Sequence, residues 1–351
     1  MKANVLSRLT SLLRLGSSRT AVWIVAGMVF VAGGAVFLLR APSSAVSATA
    51  QASTHESDEL IGPIEPMAGL DPRKVKLGEK LFYDPHLSHN NKIACSSCHN
   101  LQSGGTDGRA FSIGINGAVG QVTSLTVLNS GLNLSLFWDG RAETLEQQVD
   151  DPLQNPSEMG STWSEVTAKL QASPEYADSY KQIYKTQIQP EGVKELIAVF
   201  ERSLSTPNSR FDQFLRGNTA ALTAREQQGF LLFKTMGCVS CHQGVNMGGN
   251  MYQKLGIMAP YFEDRGHPTK ADLGRFNVTG NEHDIHMFKV PTLRNIALTG
   301  PYFHDGHAKT LEDAVHMMGK YQLGRELSNP ETALIVEFLR TLTGELNGKA
   351  L

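Results

Sequence analysis

The sequence CSSCH at residues 95–99 decides the fold, and it recurs as CVSCH at residues 238–242. These two copies use all four cysteines of the chain. Two thiols about one helical turn apart can each form a thioether with one porphyrin, and the histidine that follows then lies under the iron as a ligand. The pattern predicts two covalently bound haem c groups, on Cys95, Cys98 and His99 and on Cys238, Cys241 and His242.

A redox-active disulfide and half of a zinc site are the competing interpretations of C-x-x-C. Neither of them needs a histidine at the same offset in both copies, so haem attachment is favoured. The chain also contains an internal repeat, because GEKLF at residues 78–82 precedes the first motif and GFLLF at residues 229–233 precedes the second. This repeat indicates the duplication of one helical haem-binding unit.

The N-terminal segment predicts a membrane anchor. Residues 1–19 form a basic leader, and the uncharged residues 20–39 are long enough to cross a bilayer as a transmembrane helix. Residues 40–60 follow as a flexible tether. With the basic flank inside, the rest of the chain is exported, which predicts a periplasmic protein anchored to the inner membrane. An A-x-A pattern at residues 48–50 is also compatible with cleavage of an export signal.

The remaining residues are enough for two domains with substantial cores, which the motif spacing predicts at 61–206 and 207–351. Strand signals are sparse, so the fold class is mainly α: two cytochrome c-like helical haem domains with long loops. Helices are expected at 74–83, 143–150, 163–171, 176–184, 191–204, 211–215, 224–236, 313–320 and 331–342. A formal net charge of −2 predicts no nucleic-acid partner.

One polar and aromatic segment follows the glycine-rich loop at 104–120 and carries Trp138, Gln148 and Glu158. Cleaving an O–O bond needs an open iron position and a group that moves a proton from the inner to the outer oxygen. Taken alone, however, Glu158 fits a solvated surface and Trp138 fits a core. A thioether sulfur suits the distal side of the second haem, but eleven methionines leave the choice open.

The chain resembles the bacterial di-haem cytochrome c peroxidases, within the wider group that includes the methylamine-utilisation di-haem protein. The resemblance covers residues 62–345 and rests on several motifs in matching order and spacing. These motifs are LFYDPHLS (81–88), CSSCHN (95–100), FWDGRA (137–142), PLQNPSEM (152–159), GCVSCH (237–242) and LRNIALTGPYFHDG (293–306).

The resemblance implies a role for individual residues. Glu158 matches the catalytic acid–base, Gln148 matches the pocket amide beside it, and Trp138 matches the tryptophan between the two haems on the electron path. Met318 aligns with the distal ligand of the electron-transferring haem. His304 aligns with a cofactor-binding histidine near the haem interface.

The family also binds a calcium ion between its domains. Thr299 and Pro301 align with backbone carbonyl ligands of that ion, and oxygen donors of this kind suit a hard cation. Thr123 stands where the family has a calcium-binding asparagine. The expected calcium site is therefore weakened, or it is completed by water.

A second departure concerns the glycine-rich loop. Many family members carry a histidine there that blocks the peroxidatic iron in the resting state. Ile115 stands at the equivalent position, and no histidine occurs between His99 and His242. Isoleucine cannot ligate iron, so the first haem is predicted to be five-coordinate or water-bound and active without prior reduction of the second haem.

The resemblance implies a peroxidatic domain at 61–206 and an electron-transfer domain at 207–351. It predicts reduction of hydrogen peroxide with electrons from a small periplasmic donor, a cytochrome c or a cupredoxin. Oxidation of a partner protein, as in the methylamine branch, is one alternative, and Met318 in place of a tyrosine argues against it. A non-catalytic electron carrier is another, and it would need no acid such as Glu158. The sequence leaves open whether the chain forms a homodimer.

Overall fold

The structure is a computed structural model, and it describes residues 60–351. Helices dominate this range, as the sequence predicts. They are α1 (Pro72–Phe82), α2 (Cys95–Cys98), α3 (Leu145–Gln148), α4 (Asp150–Gln154), α5 (Trp163–Gln171), α6 (Pro174–Tyr184), α7 (Pro190–Ser203), α8 (Arg210–Leu215), α9 (Ala224–Thr235), α10 (Tyr261–Arg265), α11 (Phe276–Thr279), α12 (Leu311–Leu323) and α13 (Asn329–Arg340). Two short antiparallel pairs complete the list: β1 (Tyr252–Lys254) with β2 (Met287–Lys289), and β3 (Glu345–Leu346) with β4 (Lys349–Ala350).

The predicted membrane anchor at residues 20–39 lies outside the described residues, as do the leader and nearly all of the tether. Between residues 60 and 351, no helix has the length and apolar character needed to span a membrane.

Local sequence fixes where the longer helices begin. The Asp71 side chain accepts a hydrogen bond from the N–H of Arg73 at the start of α1, and a capping box of Thr223 and Glu226 begins α9. The helix expected at 143–150 is instead divided into α3 and α4. Pro152 explains this break, because a proline has no N–H to donate to the carbonyl of Gln148 one turn earlier.

Two helix pairs have the same packing, which supports the duplication that the sequence indicates. In α1, a Cβ on Gly78 would lie 2.0 Å from the carbonyl oxygen of Leu196 in α7. In α9, a Cβ on Gly229 would lie 2.0 Å from the carbonyl oxygen of Leu334 in α13. Each glycine therefore allows its helix to approach the backbone of its partner. α1 with α7 and α9 with α13 are thus two copies of one module.

The duplication extends into the loops. SLFWDGRAETLEQQV at residues 135–149 corresponds to PYFHDGHAKTLEDAV at residues 301–315. Phe137 and Phe303 both have left-handed backbones, with φ of 66° and 67°. The isolated bridges that follow, Leu136 with Ala142 and Tyr302 with Ala308, also correspond. Trp138 and His304 therefore occupy equivalent positions in the two copies.

These two positions face each other, with the Trp138 and His304 ring centroids 6.3 Å apart. The N–H of Lys289 donates to the carbonyl of Trp138 at 2.8 Å, and the N–H of Thr123 donates to the carbonyl of His304 at 2.8 Å. Thr123 and Lys289 are themselves equivalent in the repeat. Reciprocal backbone contacts of this kind show that the two copies meet around an approximate two-fold axis.

Residues 60–351 belong to one contact unit that contains several apolar cores. One core surrounds α1 and α7, and another surrounds α9 and α13. Ile61 packs in the second of these cores, and a buried ion pair between Arg294 and Asp212 (2.8 Å) lies beside it. Arg294 also donates to the carbonyl of Gly62 at 2.8 Å. The chain before α1 therefore packs with the second module, and the predicted boundaries at 61–206 and 207–351 stay a prediction.

Candidate active site

One cavity brings together most of the residues that the sequence predicts for the first haem. Its wall includes the three residues of the first motif, Cys95, Cys98 and His99. The same wall includes Trp138, Gln148 and Glu158, which lie 39 to 63 positions away in the sequence. The haem-binding motif and the candidate acid–base group therefore face one enclosed space.

The donors in this cavity suit a covalently bound haem. Nδ1 of His99 lies 3.2 Å from the carbonyl oxygen of Gly105, so that nitrogen carries the proton and Nε2 keeps a lone pair for a metal. Desolvation lowers the pKa of His99 and raises the pKa of Cys95 to about 12. Neither Cys95 nor Cys98 forms a disulfide. A neutral imidazole beside two unpaired thiols fits haem c, and thioether attachment itself stays a prediction.

Glu158 lies half-buried in the cavity wall, held by a short turn. The side-chain amide of Asn155 donates to Oε1 of Glu158 at 2.8 Å, and the N–H of Ile115 donates to the backbone carbonyl of Glu158 at 2.8 Å. Desolvation raises the pKa of the carboxyl, and the positive charge of Arg141 opposes this rise. A carboxyl at this position, with a pKa raised by desolvation, has the chemistry needed to accept a proton and return it.

Trp138 lies within FWDGRA, and Gln148 lies in the short helix that follows it. Gln148 ends α3, whose start is capped by the hydroxyl of Thr144, and its side chain lines the cavity. Nε1 of Trp138 donates to the carbonyl of Thr123 at 3.0 Å, which fixes the plane of the indole.

Arg141 separates the cavity from a second, more open one. Its guanidinium lies 3.5 Å above the ring of Phe137 and is bonded to the carboxylates of Asp139 (3.0 Å) and Asp151. Phe137 and Arg141 line both cavities, and Asn155 lines the outer one. Arg141 and Phe137 therefore lie on the boundary that the two cavities share.

The glycine-rich loop offers no ligand at Ile115. Its side chain is buried, and a Cβ on Gly160 would lie 2.4 Å from Cδ1 of Ile115. Within the 3₁₀ turn at Ile115–Gly117 and the residue before it, only Gly114 lines the His99 cavity. This packing supports an open iron position, and the five-coordinate haem stays a prediction.

The second motif forms a 3₁₀ turn at Cys238–Ser240, and its histidine is held like the first. Nδ1 of His242 lies 3.3 Å from the carbonyl of Met247, and desolvation lowers the pKa of His242 to about 4. Cys238 packs in the core that also contains Leu311 and Val315 of α12. The second motif and the helix that carries Met318 therefore pack against the same core, and ligation by Met318 stays a prediction.

A cluster of buried residues, four of them aromatic, lies between Trp138 and α12. Its members are Leu255, Tyr261, Phe262, Phe288 and Tyr321, and we call it the bridging cluster. Trp138 and Met318 both pack against it. Since Trp138 also lines the His99 cavity, packed side chains run without interruption from that cavity to α12.

His304 lies in a buried hydrogen-bond network beside this cluster. Its Nε2 is 2.7 Å from Oδ1 of Asp272, and Arg265 binds both Asp272 and Asp305 at 2.6 Å. Burial alone would raise the pKa of Asp272, but hydrogen bonds from His304 and Arg265 hold it far below its ordinary value. Because Arg265 occupies both carboxylates, the network is an ion-pair cluster. His304 does not line the His99 cavity, and its cofactor contact stays a prediction.

The residues expected at a calcium ion have other contacts. The hydroxyl of Thr123 donates to the carbonyl of Phe303 at 2.9 Å, and its own carbonyl accepts from Trp138. The hydroxyl of Thr299 donates to the carbonyl of Ile296 at 3.2 Å. The carbonyls of Thr299 and Pro301 accept no hydrogen bond within residues 60–351, and the calcium site stays a prediction.

Two buried titratable residues in the cavity wall were not predicted from the sequence as site residues. Glu201 is 5% exposed and Lys289 is 2% exposed, and both line the His99 cavity. Desolvation raises the pKa of Glu201 to about 8 and lowers the pKa of Lys289 to about 8. Helical periodicity could have found Glu201, because it shares the apolar face of α7 with Ile197 and Leu204.

The similarities to known proteins agree with this arrangement. The family model described as di-haem cytochrome c peroxidase matches residues 72–220. The cytochrome c551 peroxidase of Nitrosomonas europaea is 46% identical over 298 residues, which cover 84% of this chain and 87% of that protein. The cytochrome c peroxidase Ccp of Escherichia coli is 44% identical over 288 residues, 82% of this chain and 62% of that protein. A solved MauG-like protein associated with microbial copper homeostasis has a TM-score of 0.72 and 29% identity, over 82% of this chain and 95% of that one.

Proposed function

The chain belongs to the di-haem cytochrome c peroxidase family and is a haem-dependent peroxidase, and we propose that it reduces hydrogen peroxide to water at the His99 site. The electrons come from a small reduced cytochrome c or a cupredoxin and enter at the His242 site. One observation carries this proposal: a single cavity is lined by the first haem motif, by the acid–base candidate Glu158 and by Trp138, the aromatic residue on the proposed electron path.

When bound, the haem at His99 supplies the iron at which peroxide is held and its O–O bond is broken. Glu158 contributes the proton transfer. Its Oε1 accepts from Asn155, while Oε2 has no hydrogen-bond partner among the described residues and is free to face peroxide. This oxygen takes the proton of the near peroxide oxygen and gives it to the far one, which leaves as water.

Gln148 and Arg141 set the conditions for that transfer. The Gln148 amide lines the same cavity and has no other side-chain partner in the described range, so it can hold the far peroxide oxygen in line with Glu158. The positive charge of Arg141 lowers the pKa of Glu158 and so opposes the rise that desolvation causes, which favours the ionised form that accepts the proton. Its stacking on Phe137 also restricts the entry of bulk water.

The electrons reach the cavity through packed side chains. Met318 completes the His242 site, and the bridging cluster joins α12 to Trp138. The indole of Trp138 is held by Thr123 on one side and lies 6.5 Å from the ring of Phe288 on the other, measured between centroids. Trp138 is therefore the step between the cluster and the His99 cavity.

The test is peroxide-dependent oxidation of a reduced small cytochrome by the holoprotein, repeated with Glu158→Gln. The proposal expects rapid oxidation by the wild-type protein and a large loss in the variant. Donor oxidation that stops once the two haems are reduced, and that peroxide does not renew, would indicate a plain electron carrier. Peroxide consumption that never oxidises a small donor, but does oxidise a partner protein, would indicate the methylamine-branch activity.

We also propose that the protein works on the periplasmic side of the inner membrane. The support is the apolar stretch at residues 20–39 and its basic flank. Full-length protein should then sediment with membranes, and protein that begins at residue 60 should not.

A further inference from the structure

We propose that Glu201 is a proton-exchanging residue of the reactive site: it binds a proton when the haem at His99 is reduced and releases it when that haem is oxidised. This inference rests on the proposed function, since it assigns the His99 cavity to the haem at which peroxide reacts.

The first observation is the isolation of the Glu201 carboxyl. It is 5% exposed, it lines the His99 cavity, and neither of its oxygens has a hydrogen-bond partner in residues 60–351. The cation next to it in sequence is engaged elsewhere, because Arg202 binds both carboxylate oxygens of Glu146 at 2.7 and 2.9 Å. A buried carboxyl without a donor or a counter-ion is costly, so its presence needs a reason other than packing.

The second observation comes from the duplication. LIAVFERSL at residues 196–204 of α7 corresponds to LIVEFLRTL at residues 334–342 of α13, aligned by the contacts of Gly78 and Gly229. The counterpart of Glu201 is Leu339, which is 4% exposed in the core of the second module. The same position in the same fold thus accepts leucine. Only the module proposed to react with peroxide has an acid there.

The charges around Glu201 favour a carboxyl that exchanges its proton reversibly. Within its own helix and α3, Arg202 stabilises the ionised form and Glu146 opposes it, and Cys95 of α2 lies close enough for its thiol to be affected. Glu158 and Lys289 line the same cavity. Desolvation is the largest influence and raises the pKa of Glu201 to about 8. A change of charge on the haem in this poorly solvated space shifts that equilibrium further.

The chemistry of peroxide reduction supplies a use for this proton. One peroxide, two electrons and two protons give two waters. Glu158 moves a proton that peroxide already carries, so two more protons must enter a cavity that Arg141 and Phe137 partly close. On reduction, the iron gains one electron from the donor and the Glu201 carboxylate gains one proton from solvent. On oxidation by peroxide, that proton is available for product water.

The experiment is spectroelectrochemical titration of the holoprotein between pH 6 and 9 in the absence of peroxide, for wild type, Glu201→Gln and Glu201→Leu. The leucine variant repeats the residue that the second module already has. Glu191→Gln, an exposed position on the same helix, is the matched control. The His242 haem, distinguished by its own absorption bands, is the internal control.

We expect the midpoint potential of the His99 haem to fall as the pH rises through 7–9 in the wild type and in Glu191→Gln. We expect this slope to disappear in both Glu201 variants, while the His242 haem is unchanged. A slope that survives in Glu201→Gln and Glu201→Leu, or a wild type without a slope, overturns the inference. Because peroxide is absent, failure here is separate from failure of the peroxidase assay, which would overturn the proposed function.

Discussion

Replacing Glu158 by glutamine tests the acid–base assignment. The amide keeps the size of the side chain and can still contact Asn155, but it cannot accept the peroxide proton. General acid–base groups contribute about 10²–10⁴-fold to rate. At about 1.4 kcal/mol per factor of ten, this predicts a loss of transition-state stabilisation of about 3–5 kcal/mol in kcat/KM.

The dependence of kcat/KM on pH provides a second test of the Glu158→Gln substitution. Desolvation raises the pKa of Glu158 above its ordinary value of 4.5. Since the ionised form accepts the first proton, wild-type kcat/KM should fall as the pH drops through this raised pKa. In Glu158→Gln, kcat/KM should not show this fall at low pH. The assay is the initial rate of oxidation of a reduced small cytochrome at varied peroxide concentration, from pH 4.5 to 8.

Stability is the necessary control, and its sign follows from the same shift. A carboxyl whose pKa is higher in the folded state lowers stability as the pH rises through the interval between its unfolded and folded values. Glu158→Gln should therefore unfold no more easily than wild type at pH 7. Glu165→Gln, on the surface of α5, should keep full activity. If Glu158→Gln retained more than about a third of wild-type kcat/KM, far above the 10²-fold minimum loss, the acid–base role would be refuted.

Four further substitutions test the fold and the electron route. Gly78→Ala and Gly229→Ala each place a Cβ 2.0 Å from a carbonyl oxygen of the partner helix. Each should lower the free energy of unfolding, measured by urea titration, by about 1–3 kcal/mol. Unchanged urea midpoints would contradict the close helix contact. Asp272→Asn removes one of the two carboxylates that Arg265 binds and the carboxylate that His304 contacts, and it should cost about 3–5 kcal/mol. Because the pKa of Asp272 is depressed in the folded state, Asp272 stabilises the fold above its unfolded pKa, and this stabilisation is lost as the pH falls through the folded pKa. The free energy of unfolding should therefore fall less steeply with acidification in the variant than in the wild type. An equally steep fall in both proteins would argue against the ion pair. Trp138→Phe should slow electron transfer between the haems in stopped-flow traces without changing peroxide binding, and unchanged transfer would move the route elsewhere.

Helix positions follow closely from local sequence. The expected helix at 224–236 is α9 at Ala224–Thr235, and the expected helix at 163–171 is α5 at Trp163–Gln171. Capping residues and helical periodicity are short-range signals, so one sequence is enough to find them. The division of 143–150 into α3 and α4 depends on Pro152, which is also a local signal.

The convergence of Trp138, Gln148 and Glu158 on His99 could not be obtained from spacing. The resemblance to the family supplied those residues, and the structure places all of them on one cavity wall. By contrast, Glu201 and Lys289 reach the cavity through helix and strand packing over long separations. The periodicity of α7 indicates that Glu201 is buried, but the cavity that Glu201 lines, and the burial of Lys289, depend on tertiary contacts that neither composition nor a motif encodes.

The network of Asp272 illustrates the same limit. Arg265 and His304 contact this carboxylate from 7 and 32 positions away, and Arg265 also binds Asp305, 40 positions further along the sequence. Each of these residues, taken alone, is expected on a surface. Only the packing of α10 against the loop of His304 turns them into a buried ion-pair cluster.

We propose that the two haem sites differ: the site of His99 has an open iron position, and the site of His242 is closed by Met318. Electron paramagnetic resonance of the fully oxidised holoprotein measures this difference directly. We expect one high-spin haem and one low-spin haem, with the low-spin signal altered in Met318→Ala and the high-spin signal retained. Two low-spin haems in the oxidised wild-type protein would contradict it.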